Sequence, residues 1–233
     1  MFPLRDENPT SRVTWMTWLL LAANVAVFAW ELRLQVTGGD QALAAFVDAF
    51  AFDPAALAAA PGSLRVWLTL STAMFMHAGW VHLGGNMLYL GIFGNNVEDR
   101  LGPWRFLAFY LACGLVASLA QAFGTGFPHA QVLGASGAIA GVLGAYLLLY
   151  PRTRVVTAVF VIFIVELARI PAWLVIGVWF VLQLGAGIAT VGSQTVSTGV
   201  AYLAHVGGFL AGMCFIAPAW LSDHRRQRFA GWR

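Results

Sequence analysis

The stretch GASGAIAGVLGAYLLLY, residues 134–150, decides how the rest of the chain is read. It is apolar throughout apart from Ser136 near its start and the hydroxyls of Tyr146 and Tyr150. Gly137 and Gly141 are spaced so that both fall on one helix face, where a missing side chain lets a second backbone come close. A single serine at the head of such a run is out of place in a lipid-facing helix and invites a search for its partner. The surroundings are of the same kind. Of 233 residues 60% are hydrophobic and only 10% charged, against about 25% charged in a soluble domain. The chain reads as a polytopic membrane protein, which sets aside the soluble enzyme classes.

Five further apolar runs resemble the first: 15–30, 68–93, 104–123, 172–189 and 200–220. With 135–150 they make six candidate spans of an all-α, six-transmembrane-helix bundle, each near the length of about 20 residues that crosses a bilayer. A seventh run, 155–165, is too short to span and sits between Arg152/Arg154 and Glu166/Arg169, so it reads as interfacial or re-entrant. All 13 basic residues are arginine. Placing the N-terminus in the cytoplasm puts eleven of them on that side and leaves only Arg33 and Arg65 outside, the bias that sets membrane orientation. The expected organisation is a cytoplasmic segment 1–14, a membrane domain 15–220 and a basic cytoplasmic tail 221–233. Within the domain lie an outer loop 33–67 and an interfacial segment 155–168. In that outer loop Leu43, Phe46, Val47 and Phe50 recur at helical spacing, as in a helix lying on the surface. No dense basic stripe with interleaved aromatics is present, so nucleic acid is not an expected partner. Cys113 and Cys214 lie inside apolar runs and imply no disulfide framework.

Polar groups inside the expected spans are few: His77, His82, Asn86, Ser136 and His205. Such groups cost several kcal/mol in lipid and are functional candidates for that reason. Ser136 precedes Tyr150 by 14 residues, roughly 21 Å of helix above the edge marked by Pro151 and Arg152. His205 precedes Trp220, and His82 precedes Val97, by 15 residues each, roughly 22 Å. In a core of about 30 Å the three fall at one level. Gly208 and Gly212 repeat the close-packing spacing of Gly137 and Gly141, so the fourth and sixth spans are expected to meet with Ser136 and His205 at the contact.

A serine hydroxyl becomes a nucleophile when a base takes its proton. Neutral His205 can do that and can then protonate a leaving amine. His82 and Asn86, four apart, share a face and can offer two N–H donors to one oxyanion, with the Ser136 amide as a third. No Asp or Glu is expected at this depth, so the pattern is a Ser–His dyad and not a triad. Each feature alone has a plainer reading, the polar groups as interhelical glue and the glycines as packing devices. Their joint occurrence is what points to chemistry.

At these residues the chain resembles the rhomboid family of intramembrane serine proteases. The matching pieces are Gly134-Ala135-Ser136-Gly137, Ala204-His205-Val206-Gly207-Gly208 and the run from His77 through His82 to Asn86. Phe93-Gly94, Val97-Glu98, Gly102, Pro171, Trp179 and Gln183 follow in family order, so that the likeness covers about 46 to 212. The resemblance implies Ser136 as nucleophile, His205 as base and His82 with Asn86 around the oxyanion. It implies cleavage of transmembrane protein substrates near the outer face of the bilayer, with no metal and no cofactor. The family's Trp-Arg pair in the first loop is Trp67-Leu68 here, and its aromatic residue four after the serine is Ala140. The alternative is a catalytically silent relative that binds membrane clients; such relatives have typically lost the serine or histidine, and both are present. A small transporter or metal channel is disfavoured because His77, His82 and His205 lack close metal-ligand spacing. The expected location is a bacterial plasma membrane with both termini cytoplasmic.

Overall fold

The structure is a computed structural model that describes residues 2–127, 129–161, 164–191 and 200–230. After a short strand β1 (Phe2–Asp6) the chain enters the long helix α1 (Trp15–Phe50). Two short helices follow, α2 (Pro54–Ala59) and α3 (Leu64–Thr72), the latter ending in a 3-10 turn over Ala73–Phe75. Next come α4 (Trp80–Tyr89), a π-helical turn (Leu90–Gly94) and α5 (Asn95–Leu101), stacked as one continuous run. The remaining elements are α6 (Pro103–Thr125), α7 (Ser136–Leu149), β2 (Arg154–Val161), β3 (Ile164–Pro171), α8 (Ala172–Thr190) and α9 (Tyr202–Ala230).

The stretch 134–150 is the axis of the molecule. Every residue of α7 from Gly137 to Tyr146 is buried, as expected of a helix that is apolar on all sides. Helix α9 lies directly on it. A Cβ placed on Gly208 would stand 2.0 Å from the carbonyl oxygen of Gly137, and one on Gly212 would stand 2.0 Å from that of Gly141. Only glycine permits this approach of two backbones. Helix α7 has 14 residues, about 21 Å, shorter than a bilayer core is thick. Its first residue therefore starts inside the bundle, and the irregular chain leading to it is buried in protein or lines a cavity, the condition under which non-helical backbone is tolerated at such depth.

The start of α1 is held from a distance. Thr14 stands at its N-cap without a side-chain cap bond, and its first turn carries no acid. Buried Glu98 on α5 takes that place, accepting from the Met16 amide (3.0 Å), the Thr17 amide (2.7 Å) and the Thr17 hydroxyl (2.7 Å). A carboxylate at a helix N-terminus satisfies orphan donors and favours the dipole. Glu98→Ala is expected to cost about 3 kcal/mol, since it strands buried donors, measurable as a lowered unfolding midpoint in detergent.

Several sequence expectations are corrected. The chain is mostly helical but not all-α. In the segment 155–168, expected to be interfacial or re-entrant, the described residues lie in the antiparallel pair β2 and β3, and β1 pairs with β2 in the order β1-β2-β3. Val155, Val156, Thr157 and Val159 are β-branched, which favours strand over helix, and Val155 and Thr157 are buried. Residues 1–14 therefore include a strand tied into the fold. Asp6 accepts from the Tyr146 hydroxyl at the far end of α7 (2.7 Å) and from Asn96 Nδ2 (2.8 Å), while Glu7 pairs with Arg169 on β3 (3.0 Å).

The expected span 68–93 is interrupted between the 3-10 turn and α4, where Gly79 is extended (φ 162°, ψ 177°). The helical run resumes at Trp80 and continues to Leu101. Helix α1 continues through the expected outer loop to Phe50, with a break in helical geometry at Gly39 (φ 68°). Among the described helices four are long and apolar enough to cross a membrane: Trp15–Phe50, Pro103–Thr125, Ala172–Ala189 and Tyr202–Ser222. Leu64–Phe75 and Ser136–Leu149 are shorter, so four of the six expected spans coincide with helices of crossing length.

Candidate active site

Ser136 is the first residue of α7, so its amide belongs to the turn whose N–H groups have no intrahelical acceptor. The chain reaches it through a segment held on both sides. Phe52 and Val132 exchange backbone hydrogen bonds (3.1 and 2.8 Å), and the Gly134 amide donates to the Ala73 carbonyl (2.8 Å). Gly134 itself has φ +120°, a conformation that residues with a Cβ avoid. A Cβ there would stand 2.7 Å from the His82 ring and 3.7 Å from Ser136 Oγ. The glycine is thus the opening through which His82 comes up to the serine.

His205 sits in the first turn of α9 and is buried. Its depth is set by α6, where Gln121 Oε1 accepts from the Ala204 amide (3.1 Å) and so satisfies one of the unpaired donors at that helix start. His205 Nε2 lies 2.8 Å from Ser136 Oγ. On its other side Nδ1 lies 2.7 Å from Gln183 Oε1, contributed by α8. The ring is flanked by Trp179, with centroids 5.9 Å apart and planes at 36°, and by Tyr202 at 6.4 Å and 86°. With Ala140 four residues after the serine, these two aromatic residues from other positions wall the imidazole.

His82 and Asn86 lie on α4, one turn apart, and line a cavity of about 950 Å³ together with Ser136, His205, Trp179 and Tyr89. The Ala78 amide points to His82 Nδ1 at 3.5 Å, which leaves the proton of the neutral ring on Nε2, the atom beside Gly134. Asn86 Nδ2 is buried and has no hydrogen-bond partner among the described residues. A donor left unmade in this way costs about 1–3 kcal/mol and is available to an oxygen entering the cavity. The structure therefore brings Ser136, His205, His82 and Asn86 to one cavity. The arrangement can take a proton from Ser136 Oγ and offer N–H groups to a developing negative charge.

Two residues enter that the sequence reading did not assign. Gln183 was only part of a matching stretch, with no role attached. Glu31, just past the expected first span, is buried and accepts from the His77 amide at 3.3 Å. His77 is buried too, its ring 5.1 Å from that of His82. No periodicity marks either glutamine or glutamate, because their partners lie far along the chain, on α9 for Gln183 and in the break before α4 for Glu31. Among the described residues no group of three or more His, Cys, Asp or Glu side chains is placed to hold a metal ion.

Comparison with known proteins places the chain in a family. The family model described as the Rhomboid domain matches residues 64–221. The chain is 35% identical over 131 residues to Rhomboid protease GluP of Bacillus subtilis, an overlap of 56% of this chain and 24% of that protein. It is 28% identical over 155 residues to the mitochondrial Rhomboid protein 1 of Saccharomyces cerevisiae, covering 64% of this chain and 40% of that one. It is 32% identical over 158 residues to RHOMBOID-like protein 1 of Arabidopsis thaliana, covering 57% and 40%. The matched region thus spans between a quarter and two fifths of each of these relatives.

Proposed function

The chain belongs to the rhomboid family, and on that premise we propose that it is an intramembrane serine endopeptidase working through a Ser136–His205 dyad. The observation that carries this reading is the 2.8 Å contact between Ser136 Oγ and His205 Nε2 at the wall of the cavity. His205 takes the hydroxyl proton as Ser136 Oγ attacks the scissile carbonyl carbon. The carbonyl oxygen, now an oxyanion, meets Asn86 Nδ2, His82 Nε2–H and the Ser136 amide. Collapse breaks the C–N bond, and the proton on His205 passes to the leaving amine. Water then attacks the acyl-enzyme with His205 again as base, releasing the carboxylate and restoring the hydroxyl.

The substrates are transmembrane proteins whose helix is unwound near the membrane face closest to Ser136, since attack needs an extended backbone. Small or helix-breaking residues at the cut lower the cost of that unwinding. We place that face outside and both termini in the cytoplasm, on the strength of the arginine distribution. The relatives include bacterial, mitochondrial and plant proteins, and a bacterial plasma membrane remains the proposal from sequence.

The test is cleavage of a single-span reporter by the purified protein in detergent, beside Ser136→Ala. Cleavage by the wild type alone supports the reading. A folded wild type that leaves the reporter whole sinks it and moves the client-binding reading to first place. Asn86→Ala is expected to lower kcat by about 10²- to 10³-fold with little change in KM, because the donor acts on charge that exists only in the transition state.

A further inference from the structure

The dyad stands on one side of the His205 ring; the other side is occupied by Gln183. Helix α8 presents Trp179 and Gln183 one turn apart on the face toward α9. Gly187, a further turn along, lets that face close on Leu203, whose Cδ2 would stand 3.1 Å from a Cβ added there. The three positions follow helical spacing, so α8 meets the base along a defined line. Its amide oxygen is the atom turned to the ring, 2.7 Å from Nδ1. No carboxylate contacts His205 among the described residues.

We infer that Gln183 is a positioning residue for the base, the neutral third member of a Ser136–His205–Gln183 chain. An imidazole has two tautomers, and only one can accept from serine. A carbonyl oxygen at Nδ1 accepts a hydrogen bond, so the ring proton resides on Nδ1 and the lone pair on Nε2 faces Ser136 Oγ. The Nδ1 proton stays where it is through the reaction; the proton that moves is the one between Oγ and Nε2. When His205 becomes cationic, the amide dipole is already aligned to receive it. An aspartate serves the same purpose in a Ser-His-Asp triad, but a charge held among apolar helices is costly, and an amide supplies orientation without that charge. The Trp179 indole beside the ring limits its rotation, so tautomer and orientation are set from one helix.

This inference rests on the protease reading, and the experiment separates the two. Wild type, Gln183→Met and Gln183→Glu would be compared as full-length chains in detergent. The readouts are kcat and KM on the single-span reporter, the inactivation rate by a fluorophosphonate, and the thermal unfolding midpoint. Methionine keeps length and volume without a strong acceptor; glutamate restores an acceptor oxygen in either protonation state. The expected result for Gln183→Met is a fall in kcat of about 10- to 100-fold. Inactivation should slow by a similar factor, with KM within about twofold and the midpoint unchanged. Gln183→Glu should recover kcat to within a few-fold of wild type. Wild-type kcat in Gln183→Met overturns the inference while leaving the dyad intact. So does a loss that follows the unfolding midpoint and is shared equally by Gln183→Glu. A wild type that neither cuts nor reacts removes the premise itself.

Discussion

Replacing His205 with alanine is expected to reduce reporter cleavage by about 10⁴-fold or more, and the Ser136→Ala/His205→Ala double variant should be no worse than either single one. The reason lies in the geometry. Among the described residues the base hydrogen-bonded to Ser136 Oγ is His205, 2.8 Å away, and an unassisted hydroxyl is a poor nucleophile. Once either member is gone, what remains is the N–H groups of the cavity, whose contribution the other member does not raise further. Additive losses would mean that the two residues act apart, and the dyad would have to be abandoned. The fold should survive both changes, since each removes side-chain atoms at the wall of a cavity and not in the packed seam of α7 and α9.

The second large effect is expected away from the chemistry. Gly212 lies seven residues beyond His205, about 10 Å along the helix, and touches no group of the site. A methyl group there would stand 2.0 Å from the Gly141 carbonyl oxygen and 2.5 Å from its carbon, so α9 must move away from α7. The overpacking costs about 1–3 kcal/mol or more, since backbone and not a flexible side chain stands in the way. The same movement separates His205 from Ser136, because each is carried by one of the two helices. A displacement of about 1 Å is enough to cost on the order of 10²-fold in rate. Gly212→Ala should therefore lower both the unfolding midpoint and kcat, whereas Gly185→Ala, where a Cβ meets nothing within 4 Å, should leave both near wild type. Equal, wild-type behaviour of the two variants would contradict the link between helix approach and the dyad.

The parts of the molecule that the sequence makes legible are those where lipid removes alternatives. A serine and a histidine among apolar residues, each beside glycines four apart, have few partners to choose from, and the structure brings Ser136 to His205 across the α7–α9 contact. The likeness to the family's motifs carried the assignment of roles further than spacing alone. The breaks were less legible. Hydropathy runs evenly through Met74, Phe75 and Met76, so an average over that region cannot reveal that the helix stops there and begins again at Trp80. The hairpin was hidden for a different reason. Its length excludes a span, and the β-branched run Val155, Val156, Thr157 and Val159 favours strand but is too short and too evenly apolar for periodicity to separate strand from helix. The pairing strand Phe2–Asp6 gave no sign, because its partner lies about 150 residues away in the chain. Gln121, Gln183, Glu31 and Glu98 are illegible for a shared reason: each acts on a backbone amide or ring distant in the chain, and no local pattern records such a partner.

The most direct measurement is the site of covalent labelling. The purified chain would be treated with a fluorophosphonate, digested and mapped by mass spectrometry, alongside Ser136→Ala and His205→Ala. A single phosphonylated serine at Ser136 in the wild type, absent from both variants while they remain folded, is the predicted result. A folded wild type without an adduct, or an adduct at another residue that persists in Ser136→Ala, would contradict the dyad.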